Sequence, residues 1–178
     1  IGESLPERAD SILALRSVAR EHRGVQEVII QNFRAKPDTA LRHRDDLDSA
    51  EYLAALATTR VVLGPRIRIQ APPNLSAPEE LGALLGAGVD DWGGVSPVTP
   101  DHVNPERPWP HLDALRAATA AAGFELRERL TVHPEYVRQP EQWLDPRVAG
   151  HVSALADADG LARPGHRPVG RRWQQPDS

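Results

Sequence analysis

Hydrophobic and polar positions alternate between two periods along most of the chain. Ile12, Leu15 and Ala19 recur at helical spacing behind Ser4-Leu5-Pro6-Glu7, where the Ser hydroxyl and the Glu carboxylate can each satisfy a free amide. That pattern predicts a helix, with Gly24 as its left-handed stop. The next run, "VQEVIIQNF", is short, apolar and β-branched, which fits a strand buried on both faces. After a loop through Lys36-Pro37-Asp38, the acids Asp45 and Asp46 open a second helical pattern carrying Leu47, Leu53, Ala54, Leu56 and Ala57. "RIRIQAPPNL" reads as a second strand followed by a proline-stiffened turn. Capping chemistry repeats at Ser76-Ala77-Pro78-Glu79, ahead of Leu81, Leu84 and Leu85, with Gly86 and Gly88 near the helix end. "VDDWGG" is a third strand candidate, and "HLDALRAATAAAGFEL" is an Ala-rich helix that Gly123 ends.

Strand-helix alternation of this kind predicts an α/β fold, a parallel sheet with outer helices joined by right-handed crossovers. Strand starts fall near residues 26, 66 and 89, and the opening "IG" reads as the end of a further strand. About four βα units would make half of an eight-stranded barrel or most of a small open sheet. From about Pro140 the apolar period is lost, and "GLARPGHRPVGRRWQQPDS" reads as linker or tail.

Composition narrows the picture. The 178 residues carry 21 Lys+Arg against 25 Asp+Glu, a net charge of -4, with the arginines scattered, so a nucleic-acid footprint is not expected. Apolar runs are too short for a membrane span and the start lacks a signal-peptide pattern, so the expected location is cytoplasmic. There is no cysteine, hence no disulfide, thiolate metal site or Cys nucleophile within these residues. There is also no methionine, and the chain is read as a fragment of a longer protein.

Chemistry in parallel α/β folds gathers at the carboxyl ends of the strands. Gln31 and Asn32 end the first strand and offer amide donors and acceptors to a polar ligand, or else cap the neighbouring loop. Asn74, behind two prolines, is either an aimed amide or a plain turn residue. Asp90 and Asp91 point to opposite faces of a strand, so they are not a close carboxylate pair. One can face the ligand as base or anchor while the other pairs with an arginine. Gly93-Gly94 allows close backbone approach, and Trp92 is read as packing rather than a stacking platform. The seven histidines show no metal spacing, and no phosphate loop or nucleophile elbow is present. On these residues alone the chain reads as part of an α/β barrel-like enzyme with a polar small-molecule mouth.

The stretches "EVIIQNF", "IQAPPNL", "DDWGGVSPVTPDHVNPERPWP" and "ERLTVHPEYV" together resemble the radical S-adenosylmethionine subunit or module of the FO synthase family, across residues 1 to about 145. The resemblance implies the C-terminal half of a TIM-type (β/α) barrel over residues 1–145. Residues 146–178 would be a linker leading to a second module. It implies a four-iron cluster and S-adenosylmethionine in the intact enzyme. The cluster motif C-x-x-x-C-x-x-C is absent here, and Glu3 would be the end of a G-x-I-x-G-x-x-E segment beside the cofactor. The implied reaction is a carbon-nitrogen lyase step that makes a 5-deazaflavin chromophore from a tyrosine-derived adduct of 5-amino-6-ribitylamino-uracil and releases ammonia. Substrate contacts are expected at Gln31, Asn32, Asn74, Gly93, Gly94 and Ser96, with Asp91 as the catalytic candidate and no metal ligand in the chain. The expected partners are a tyrosine-transferring radical module, fused in the intact protein, and an electron donor. Competing readings are that tyrosine-transferring enzyme itself, a non-radical barrel lyase using one of Asp90 and Asp91 as base, and a non-catalytic half-barrel binding module.

Overall fold

The computed structural model describes residues 2–96 and 99–165. Helix α1 (Leu5–His22) begins at the anticipated capping box: the Ser4 hydroxyl accepts from the Glu7 N–H while the Glu7 carboxylate accepts from the Ser4 N–H at 2.7 Å. Its left-handed stop is Arg23, at φ 55°, rather than Gly24. Strand β1 (Glu27–Ile29) follows. Helix α2 (Ser49–Leu63) opens at Asp48, not at Asp45 or Asp46, because the Asp48 carboxylate reaches the N–H groups of both Ala50 and Glu51. A cap of this kind is worth about 1 kcal/mol.

Strand β2 (Arg68–Gln70) pairs parallel with β1, Val28 opposite Ile69, and α2 forms the crossover between them. A short 3-10 turn (Pro73–Leu75) and a second one (Pro78–Glu80) lead into α3 (Leu81–Gly86). Here the cap is the Glu80 carboxylate on the Ala77 N–H, not Ser76. Helix α4 (Leu112–Ala121) ends near Gly123, whose φ of +86° matches the expected stop.

Helix α2 packs against α1, α3 and β2, and α3 against α4. Leu56, Ile69, Ala71, Leu84 and Leu115 are almost wholly buried among Tyr52, Leu81, Leu85, Val89 and Trp92. Each buried Leu or Ile side chain of this size contributes about 1.5–3 kcal/mol. Trp92 is a core residue, its indole N–H donating to Thr119.

The expected half-barrel is not what forms. Helix takes up 45% of the structure and strand 6%, and the sheet is an open pair of three-residue strands. Each strand has an identifiable reason to stop. Beyond β1 the last rung is Ile30 N–H to Gln70 O, after which Asn32 turns its side chain to Leu75. Beyond β2, Pro72 and Pro73 have no N–H to continue a ladder. The "VDDWGG" segment contributes one parallel bridge, Gln70 to Asp91, because Gly93 turns the chain at φ +74° and the Asp91 carboxylate caps its N–H. Gly2 to Ser4 form no strand, and Ile1 lies outside the described residues.

The chain divides into two compact units, Ile1–Leu126 and Arg127–Ser178. The second contains α5 (Pro134–Val137), α6 (Pro140–Trp143) and α7 (Pro146–Leu155). Pro146–Leu155 is therefore helical where the sequence predicted linker; Asp145 caps it through the Arg147 N–H. Tyr136 and Trp143 meet edge to face at 5.0 Å. The Asp157 carboxylate accepts from the Asp159 and Leu161 N–H groups and pairs with Arg127. The rest of the expected tail, from residue 166, lies outside the described residues. No described helix is long and apolar enough to cross a membrane.

Candidate functional site

The loops that leave β1, β2 and the Asp91 bridge emerge from one end of the parallel ladder, and they are tied to one another by side chains. Asn32 is 4% exposed and donates its Nδ2 to the Leu75 carbonyl at 2.8 Å. Arg34 adds Nε and Nη2 to the same carbonyl, at 2.9 and 2.7 Å. One oxygen thereby joins the first loop to the second. Asn74, 7% exposed, donates Nδ2 to Asp101 Oδ2 at 2.9 Å and to the Arg107 carbonyl at 3.1 Å, joining the second loop to the third. Lys36 donates to the Val103 carbonyl. Arg34 and Arg107 flank Asp46, at 3.2 and 3.9 Å.

The charges are set by these contacts. Asp101 is pushed down to about 2 by the Asn104 amide and, after it, the Asn74 amide and the N–H groups of Val103 and Asn104, against the opposing effect of burial. The Asp46 carboxyl is held below its usual range by the Ala35 N–H and then by Arg34 and Arg107. Glu80 is lowered by the Ser49 hydroxyl and the Ala77 N–H. Burial raises the Tyr52 phenol, whose O–H donates to the Ile30 carbonyl at 2.7 Å. A cavity of about 30 Å³ lies beside Asn32, Arg34, Tyr52 and Glu80, room for one water-sized group such as an amino or hydroxyl substituent.

Two acceptors stand out. The Oδ1 atoms of Asn32 and Asn74 are buried and meet no donor among the described residues. An unmet buried acceptor costs about 1–3 kcal/mol. Both residues come from the sequence reading, and the structure brings them to the two ends of Asn74-Leu75.

The other expected positions are more dispersed. Gln31 is exposed. The Asp91 Oδ1 accepts from the Gly93 N–H at 2.6 Å and closes a turn. Gly93 is tightly enclosed, since a Cβ there would fall 2.2 Å from Gln70 Nε2, whereas Gly94 is exposed with open space around it. Ser96 accepts from the Thr99 N–H and hydroxyl in a local turn. Glu3, exposed, pairs with Arg8, which also pairs with Glu51 and so links α1 to α2. Asp90 is the acid that pairs with arginine, meeting Arg60 at 2.9 Å and Arg68 at 3.2 Å. The sequence reading missed Asp101, although the Asp101-x-x-Asn104 spacing is a local turn signal.

By fold and site the chain is a mostly helical segment with one two-stranded parallel sheet, and the loops at the carboxyl end of that ladder carry buried amides. It is 58% identical to an "FO synthase" of Streptomyces avermitilis over 178 residues, 99% of this chain and 21% of that one. It is 60% identical to an "FO synthase" of Mycobacterium tuberculosis, again over 99% of this chain and 21% of that one. It is 44% identical to the "7,8-didemethyl-8-hydroxy-5-deazariboflavin synthase" of Methanopyrus kandleri over 163 residues, 92% of this chain and 48% of that one. The chain belongs to the FO synthase family, and it spans about a fifth of its actinobacterial relatives and about half of the Methanopyrus one. No family model and no solved structure matches. The donor set does not fit a thiolate-held iron-sulfur cluster, because the chain has no cysteine.

Proposed function

We propose that this chain is a substrate-recognising segment of an FO synthase. The longer protein would make a 5-deazaflavin chromophore from a tyrosine-derived adduct of 5-amino-6-ribitylamino-uracil, with loss of ammonia. The observation that carries this reading is 58–60% identity over 99% of the chain to relatives of that name. The cluster and S-adenosylmethionine belong to residues outside this chain, apart from Glu3, which would border the cofactor. Asn32 and Asn74 hold the polar edge of the substrate, Gln31 and Ser96 contribute at the rim, and Gly94, with open space around it, lets backbone approach the ring. Asp91 is the proton-transferring candidate. A fused tyrosine-transferring module is supported by the length of the actinobacterial relatives, of which this chain is about a fifth. An external electron donor completes the reading.

In the intact protein, Asp91→Ala is expected to lower chromophore formation roughly 100-fold, as loss of an acid-base group does. Asn32→Ala is expected to lower it about tenfold, as loss of one polar contact does. The cluster absorbance should be unchanged in both. Wild-type rates in both variants would refute the assignment of these residues.

A further inference from the structure

The amide orientations of Asn32 and Asn74 are fixed by what their nitrogens meet. Asn74 Nδ2 faces a carboxylate oxygen of Asp101 and the carbonyl of Arg107, and both can only accept. Asn32 Nδ2 faces the Leu75 carbonyl, also an acceptor alone. Turning either amide over would set oxygen against oxygen. Each side chain therefore keeps its carbonyl oxygen for another partner, and neither oxygen meets a donor among the described residues.

We propose that Asp101 is a positioning residue that locks Asn74 with its carbonyl oxygen as acceptor, and that Asn32 and Asn74 each select a small-molecule group that donates through N–H or O–H. This deepens the reading of the two asparagines as substrate contacts and rests on it. A ligand edge made only of acceptors leaves both oxygens unmet and is rejected, since a buried polar group without its partner discriminates strongly. Asp101 does this work through Asn74, from the nitrogen side of the amide, so the oxygen side can open to a ligand without releasing the clamp. Asp101 is itself held by Asn104, whose Nδ2 donates to the same Oδ2 at 2.8 Å and whose N–H donates to Oδ1.

The test follows the side-chain resonances of Asn32 and Asn74 by nuclear magnetic resonance in the isotope-labelled 178-residue chain. Three probes are titrated: 5,6-diaminouracil, with N–H donors; ribitol, with O–H donors; and 1,3-dimethyluracil, which only accepts. The expected result is that 5,6-diaminouracil or ribitol moves the Asn74 carbonyl carbon, which identifies the donor as ring or ribityl chain, while 1,3-dimethyluracil does not. Asp101→Asn should weaken that response about tenfold, the weight of one well-placed hydrogen bond. No response to any probe, or an equal response to 1,3-dimethyluracil, would overturn the donor selection. An unchanged response in folded Asp101→Asn would overturn the positioning role. Should that variant not fold, the wild-type chain still decides it: Asn74 Nδ2 protons exchanging as fast as those of an exposed amide exclude the clamp. The outcome is separable from the proposed function, because these probes report acceptor orientation whether or not the longer protein forms a chromophore.

Discussion

At the residue scale, the tightest constraint lies outside the candidate site, at Arg60 and Gly88. Arg60 runs along α2, donates to the carbonyls of Gly64, Ile67 and Gly88, and pairs with Asp90. Gly88 has φ +107°, and a Cβ there would lie 2.7 Å from both Cβ and Cγ of Arg60, atoms too near the backbone to move freely. Gly88→Ala is expected to destabilise the chain by about 2–4 kcal/mol, combining left-handed strain with overpacking. Gly94→Ala, with nothing within 4 Å, is expected to change stability by less than about 0.5 kcal/mol. Chemical denaturation of the two variants checks this, and equal effects would show the Arg60 contact to be unimportant. Gly93 is intermediate, since its near neighbour is the movable end of Gln70.

At the element scale, the loop that carries Asp101, Asn104 and Arg107 acts as a brace on the two strand-end loops. The Asp101 carboxyl lies below its ordinary 3.8, so the stability it contributes is fully present above about pH 4 and is lost as pH falls through about 2. Acid melts should show wild type losing more stability than Asp101→Asn across that window; parallel curves would deny the brace an electrostatic part. Elements with local signals were legible in the sequence: the Ser4 box, the α2 and α3 apolar patterns, and the Gly123 stop. The strands were over-read. "VQEVIIQNF" has the composition of a long buried strand, yet only three of its residues pair, because ladder length is set by the partner and by Pro72-Pro73, some 40 positions away. In the same way Asn32 and Asn74 were singled out from their place at strand ends, while Asp101 was passed over because its partner is 27 residues distant. Helix α7 was missed although Asp145 ahead of Pro146 is a local start signal, because the Pro- and Gly-rich residues around it read as linker.

At the scale of the whole molecule, this chain belongs to the FO synthase family and spans about a fifth of its actinobacterial relatives. With no cysteine among 178 residues, it should take up no iron-sulfur cluster when incubated anaerobically with iron and sulfide; stoichiometric cluster absorbance would contradict this. The ties between its loops also have a direction in time. Asn32 and Arg34 bind a carbonyl made 43 and 41 residues later, and Asn74 binds groups made 27 and 33 residues later. A nascent chain leaving the ribosome therefore carries each amide unfastened until the next loop has been synthesised.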